Sequence, residues 1–142
     1  MERAVDAAYL PDMTNTTRLL SILVLAALAC RPQSGAVASI SNQALADEIK
    51  SGKPPLILDV RTPEEYQAGH IPGAVNIPHD QLASRLSELP ISKSDEVVVH
   101  CEKGARAAKA ESVLIASGYT HVVDLQGHMS SWREAGLPTQ SQ

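Results

Sequence analysis

The sequence predicts an α/β fold: an open, mostly parallel sheet of four to five strands with helices on both faces. Three observations carry that prediction. Four short apolar runs, "LILDV" (56–60), "AVNI" (74–77), "EVVVH" (96–100) and "HVVDL" (121–125), are bounded by prolines, glycines or charges, the pattern of fully buried strands. Segments with helical spacing of apolar residues lie between them. Strands alternating with helices in this way pack as a parallel sheet covered on both sides.

Each element has local support. Ser41 or Asn42 is a candidate N-cap for a helix carrying Leu45 and Ile49, and Gly52 with Pro54 and Pro55 ends it. "TPEEYQAG" (62–69) opens with a cap at Thr62 and Pro63 at the first helical position, has acids in the first turn and closes on Gly69. Leu82, Leu86 and Leu89 form a helix stripe that Pro90 terminates. Ala107, Ala110, Val113 and Leu114 give the buried face of the next helix, which Gly118 closes. A last short helix, 129–135, carries Trp132 as a core residue.

Composition narrows the function. The chain has 142 residues, 44% hydrophobic and 20% charged, which suits one globular domain plus an extension. Three Tyr, one Trp and no Phe leave the core to Val, Ile, Leu and Ala. A formal charge of −4 without any Lys/Arg cluster argues against a nucleic-acid partner. Two cysteines make no disulfide framework, and the histidines show no metal-ligand spacing. No metal and no cofactor is expected.

The extension reads as an export segment. "LLSILVLAALAC" (19–30) is far shorter than the roughly 20 residues that span a bilayer, so no transmembrane span is expected, but it has the length of a signal-peptide core behind Arg18. Residues 1–12 are acidic where such a signal is basic, which makes Met13 a candidate true start. Cleavage before Cys30 would leave a lipid anchor on that cysteine, whereas cleavage after Ala38 would give a mature domain of 39–142. Either reading sends the domain to a bacterial periplasm, with Cys101 as its one cysteine free of processing.

Cys101 stands where the third strand gives way to a helix. Ligands of parallel sheets gather beyond the carboxyl ends of the strands, and Arg61 falls at that same edge. In "CEKGARA" (101–107), Gly104 can adopt dihedrals closed to other residues, so that successive N–H groups form an anion-binding concavity at a helix N-terminus. Such a site favours a thiolate. Lys103 and Arg106 add cations suited to a small sulfur-containing oxyanion such as thiosulfate. A cysteine that is merely a small apolar packing residue is the plainer alternative.

Three segments then resemble the rhodanese family: "LDVRTPEEYQAGHIPGAVNIP" (58–78), the loop "CEKGARA" (101–107) and "LQGHMSSWREAGLP" (125–138). The resemblance covers residues 41–138 and points to an exported, single-domain form. It implies sulfur transfer through a persulfide on Cys101, with Glu102, Lys103, Gly104, Ala105 and Arg106 as the loop that holds donor and adduct. The acceptor would be thiophilic, cyanide or a thiol. Asp59 and Arg61 are expected as a charge-paired support near the site. Two departures from the family pattern stand out. His128 replaces the second of two usual glycines, and Glu102 puts a negative charge directly after the nucleophile. His70 is expected to fix the turn before Pro72, and His100 to be a satisfied core histidine.

Rival functions are a persulfide carrier for a protein partner, a non-catalytic binding module, and a cysteine phosphatase or arsenate reductase. The phosphatase loop is one residue longer than the stretch between Cys101 and Arg106, so a tetrahedral phosphate would fit this loop badly.

Overall fold

The structure, a computed structural model, describes residues 36–142, and one compact unit spans Ala36–Gln142. Met13 and Cys30 lie outside the described residues. In chain order the unit runs β1 (Ala38–Ile40), α1 (Asn42–Ser51), β2 (Leu56–Asp59), α2 (Pro63–Ala68) and β3 (Val75–Asn76). It continues through α3 (Leu82–Arg85), a 3-10 turn (Leu86–Glu88), β4 (Glu96–His100), α4 (Ala105–Ala116), β5 (His121–Leu125) and α5 (His128–Glu134). The five strands lie in the order β1-β5-β4-β2-β3, and every pairing is parallel. This is the α/β sheet that the alternation of elements predicts.

One strand has no counterpart in the sequence pattern. Residues 38–40 carry no strand assignment from the sequence, yet Ala38, Ser39 and Ile40 pair with Val123, Asp124 and Leu125. Val37 packs against the core as well, so the fold already engages residues that precede Ser39. Among the described residues, no helix is long and apolar enough to cross a membrane.

Local chemistry sets the helix ends. The Ser41 hydroxyl accepts the Ala44 N–H at 3.2 Å and starts α1, and Gly52, at φ 79°, ends it in the left-handed region. At α2 the Thr62 hydroxyl accepts from the Glu65 amide, and the Glu65 carboxylate accepts from the Thr62 amide at 2.9 Å. That capping box, with Pro63 at the first position, fixes where the helix begins.

The sheet is buried on both faces. Leu58, Val97, Val99 and Val122 point to one side, where they meet Leu82, Ala107, Ala110 and Leu114 from α3 and α4. Ile57, Val98, Val123 and Leu125 point to the other and meet Leu45, Met129 and Trp132 from α1 and α5. Strand alternation produces this division, and each fully buried aliphatic side chain contributes roughly 1.5–3 kcal/mol. Trp132 also donates Nε1–H to the Pro138 carbonyl at 2.9 Å, which satisfies its polar edge. The central strand, β4, delivers Cys101 to the middle of the carboxyl edge.

Candidate active site

β4 ends at His100 and α4 begins at Ala105, so Cys101–Gly104 forms the connecting turn. Cys101 continues the alternation of Val97 and Val99 onto the α4 face, and it is 1% exposed. Gly104 takes φ 112° and ψ −32°, a conformation that side chains resist, and its amide then donates to Cys101 Sγ at 3.0 Å. No side chain caps α4, so its first-turn amides, which have no intrahelical partner, add positive potential beside the sulfur. The outer side of the turn is tied to α5. The Met129 amide donates to the Cys101 carbonyl at 3.1 Å, and the Ser130 amide donates to that of Glu102 at 3.2 Å.

Behind the turn lies a buried charge cluster. Arg61 Nε donates to both Asp59 oxygens at 3.0 and 3.1 Å, and its Nη2 donates to Oδ2 at 2.6 Å. The Arg61 amide adds a bond to Oδ1 at 3.0 Å, and Nη2 also reaches the Gly69 carbonyl at 2.8 Å. Full pairing is what permits two such charges inside a fold. His100 Nε2 lies 3.8 Å from Asp59 Oδ2 but has no hydrogen-bond partner. His100 is therefore buried, as a core histidine is, but half satisfied: its Nδ1 lies 3.4 Å from the Cys101 carbonyl while Nε2 is unpaired. Burial pushes its pKa down to about 4 against the pull of Asp59, so the ring is neutral at pH 7. His70 stacks on Tyr66 with ring centroids 3.8 Å apart, and its Nδ1 lies 2.8 Å from the Tyr66 carbonyl, which fixes the segment ahead of Pro72.

His128 packs against the underside of Gly104. A Cβ on Gly104 would sit 2.8 Å from His128 Nε2. His128 is the one non-glycine residue at positive φ, 53°, among the described residues. Its Nε2 is 3.6 Å from Asp124 Oδ1, and its Nδ1 is buried without a partner. Asp124 in turn faces Glu111 from the buried side of α4. Burial, and then the neighbouring Asp124 carboxyl, push the Glu111 carboxyl up to about 7, and its Oε1 is buried without a hydrogen-bond partner.

Charged side chains surround the mouth. Arg106 forks onto Glu65, with Nη1 and Nη2 at 2.6 and 2.9 Å from its two oxygens. That pair ties the first turn of α4 to α2 and, mainly through the Arg106 hydrogen bond, holds the Glu65 carboxyl down at about 2. Glu102 turns sideways onto Arg133, and its other oxygen is 3.7 Å from Arg61 Nη1. Lys103 and Ala105 are exposed. Arg61, Glu65, Ala68, Gly69, Glu102, Arg133 and Thr139 line a cleft of about 410 Å³ beside the loop. A smaller, more apolar groove of about 170 Å³ between α1 and Trp132 holds none of these groups. Among the described residues, no cluster of three or more His, Cys, Asp or Glu could hold a metal.

Cys101, its loop, Asp59, Arg61 and His128 thus meet at one edge of the sheet. Glu65, Glu111, Asp124 and Arg133 belong to the same neighbourhood: Glu65 and Arg133 fall inside the quoted motifs without an assigned role, and Glu111 and Asp124 lie outside them.

A buried cysteine thus sits on a glycine-turned loop at the carboxyl edge of an all-parallel α/β sheet. The chain belongs to the rhodanese-like domain family, whose pattern matches residues 41–135. It is 40% identical over 94 residues to thiosulfate sulfurtransferase 16, chloroplastic, of Arabidopsis thaliana, covering 59% of this chain and 78% of that one. To a sulfurtransferase of Allochromatium vinosum it is 35% identical over 102 residues, 72% of this chain and 94% of that one. Among solved structures, a rhodanese-related protein of Thermoplasma volcanium superposes with a TM-score of 0.64 at 31% identity, over 74% of this chain and 99% of that one.

Proposed function

We propose that this protein is a sulfurtransferase that takes a sulfane sulfur from thiosulfate or a related anionic donor and passes it to cyanide or a thiol. The observation that carries the reading is the Gly104 amide donating to Cys101 Sγ at 3.0 Å, in a loop that offers main-chain donors to negative charge. The Cys101 thiolate attacks the outer sulfur of thiosulfate. A bond from Sγ to that sulfur forms, the sulfur–sulfur bond of the donor breaks, and sulfite leaves with the electron pair. The acceptor then attacks the outer sulfur of the persulfide, and the Sγ–sulfur bond breaks to regenerate the thiolate. Thiocyanate is the product when cyanide is the acceptor.

The protein's own groups hold and orient. Main-chain amides support the persulfide anion, the α5 amides fix the turn, and the Asp59–Arg61 pair braces its base. We propose further that the domain works after export, with Cys30 as a lipid anchor or with cleavage after Ala38. Intact mass of the mature protein separates those two forms.

The test is steady-state assay of the purified protein. Thiocyanate formation from thiosulfate and cyanide, lost in Cys101→Ser, supports the reading. Hydrolysis of an aryl phosphate without sulfur transfer overturns it. Slow turnover of thiosulfate, with rapid uptake from a protein persulfide, would instead make the domain a carrier.

A further inference from the structure

Sulfur transfer alone does not explain the charge that follows the nucleophile. A carboxylate next to Cys101 should repel both an anionic donor and the persulfide. Glu102 is not left to do so. Its carbonyl accepts the Ser130 amide at 3.2 Å, one carboxylate oxygen takes the Arg133 guanidinium, and the other lies 3.7 Å from Arg61. Arg61 is already matched by Asp59, 2.6 Å away and buried with it. Among the cations lining the cleft, Arg133 is the one whose carboxylate partner is Glu102 alone. Lys103 is exposed, and Arg106 is committed to Glu65.

We propose that Arg133 determines donor specificity: by holding Glu102 on the cleft wall, it cancels the charge beside Cys101 and admits anionic sulfur donors. Arg133 is a positioning residue, since it acts through Glu102 rather than on the reacting sulfur. The inference rests on the sulfurtransferase reading and names the substrate charge that the site selects. The pair is partly exposed, so its effect is modest and shrinks as salt screens it.

The test compares alkylation of Cys101 by iodoacetate, an anion, with alkylation by iodoacetamide, its neutral analogue. The ratio of the two rates reads charge selection at the sulfur independently of any sulfur transfer. Arg133→Ala lowers the iodoacetate/iodoacetamide ratio by about two- to five-fold at low salt, the range of an exposed ion pair, and less at high salt. Arg133→Lys restores most of it. In a Glu102→Gln background, Arg133→Ala leaves the ratio unchanged. With Glu102 present, Arg133→Ala raises the KM for thiosulfate while kcat changes less. An unchanged ratio in Arg133→Ala overturns the proposal. So does an equal fall with and without Glu102, which would mean that Arg133 attracts anions directly. A wild-type protein that takes up no sulfur from any donor would defeat the sulfurtransferase reading while leaving the alkylation ratios readable.

Discussion

The two sides of the Cys101 loop are built on different physical terms. Behind it, Asp59, Arg61 and His100 are almost wholly buried, and Glu111 and His128 are nearly so. In front, the Arg106–Glu65 and Arg133–Glu102 pairs stand at the surface, with side chains between about a quarter and a half exposed. A buried ion pair is costly to break because the survivor is left charged in a poor solvent. A surface pair is exchanged against water and salt with little consequence. The rear therefore fixes where the sulfur is, whereas the front can be altered without unmaking the fold.

The sharpest break in that contrast is Asp59→Ala. It strands Arg61 with only the Gly69 carbonyl and the distant Glu102 carboxylate, and it should destabilise the domain by about 3–5 kcal/mol, read as a lower urea midpoint. A loss below about 1 kcal/mol would place this pair with the surface pairs. Next comes Gly104→Ala, which meets both an unfavourable φ of 112° and the His128 ring. A cost of about 1–3 kcal/mol is expected, and His128→Gly should relieve the part due to the ring. A double mutant no more stable than Gly104→Ala alone would show that backbone conformation is the whole effect.

Glu111 sharpens the contrast through pH. Its carboxyl titrates near 7 in the fold against 4.5 ordinarily, so the folded protein holds a proton that the unfolded chain releases. Stability on this account is full below about pH 4.5 and falls as pH rises through 7. Glu111→Gln should flatten that slope and stabilise the protein at pH 8 by about 1–2 kcal/mol. A variant whose stability follows the wild-type pH curve would contradict it. The smallest effect belongs to Glu65→Gln, under about 1 kcal/mol at pH 7. Glu65 titrates at about 2 in the fold. Its contribution is therefore present above the ordinary carboxylate range and is lost as pH falls toward 2, where wild type and variant converge.

Much of the rear was legible in the sequence and little of the front was. The strands at 56–60, 96–100 and 121–125 announce themselves because burial on both faces demands unbroken apolar runs, and Thr62-Pro63 marks a helix start by local chemistry alone. Cys101 was legible because glycine and helix signals follow it at once. β1 was not: three residues at a sheet edge are held by pairing with β5, and nothing local demands a strand. Glu111 is not legible as a buried group, because a glutamate in a helix ordinarily faces solvent, whereas here it is buried beside Asp124. The partners of Arg106 and Glu102 lie 41 and 31 residues away, and such pairings exist only once the chain is folded. His128 was visible as a departure from a glycine, but its place beneath Gly104 depends on how α5 docks.

The central claim is that the loop holds one reactive sulfur and lets it carry a second. Intact-protein mass spectrometry after incubation with thiosulfate tests this most directly. The account predicts a gain of one sulfur atom, mapped to Cys101, removed by cyanide and absent in Cys101→Ser. A protein whose mass stays unchanged with every sulfane donor offered, or whose added sulfur persists in Cys101→Ser, would contradict it.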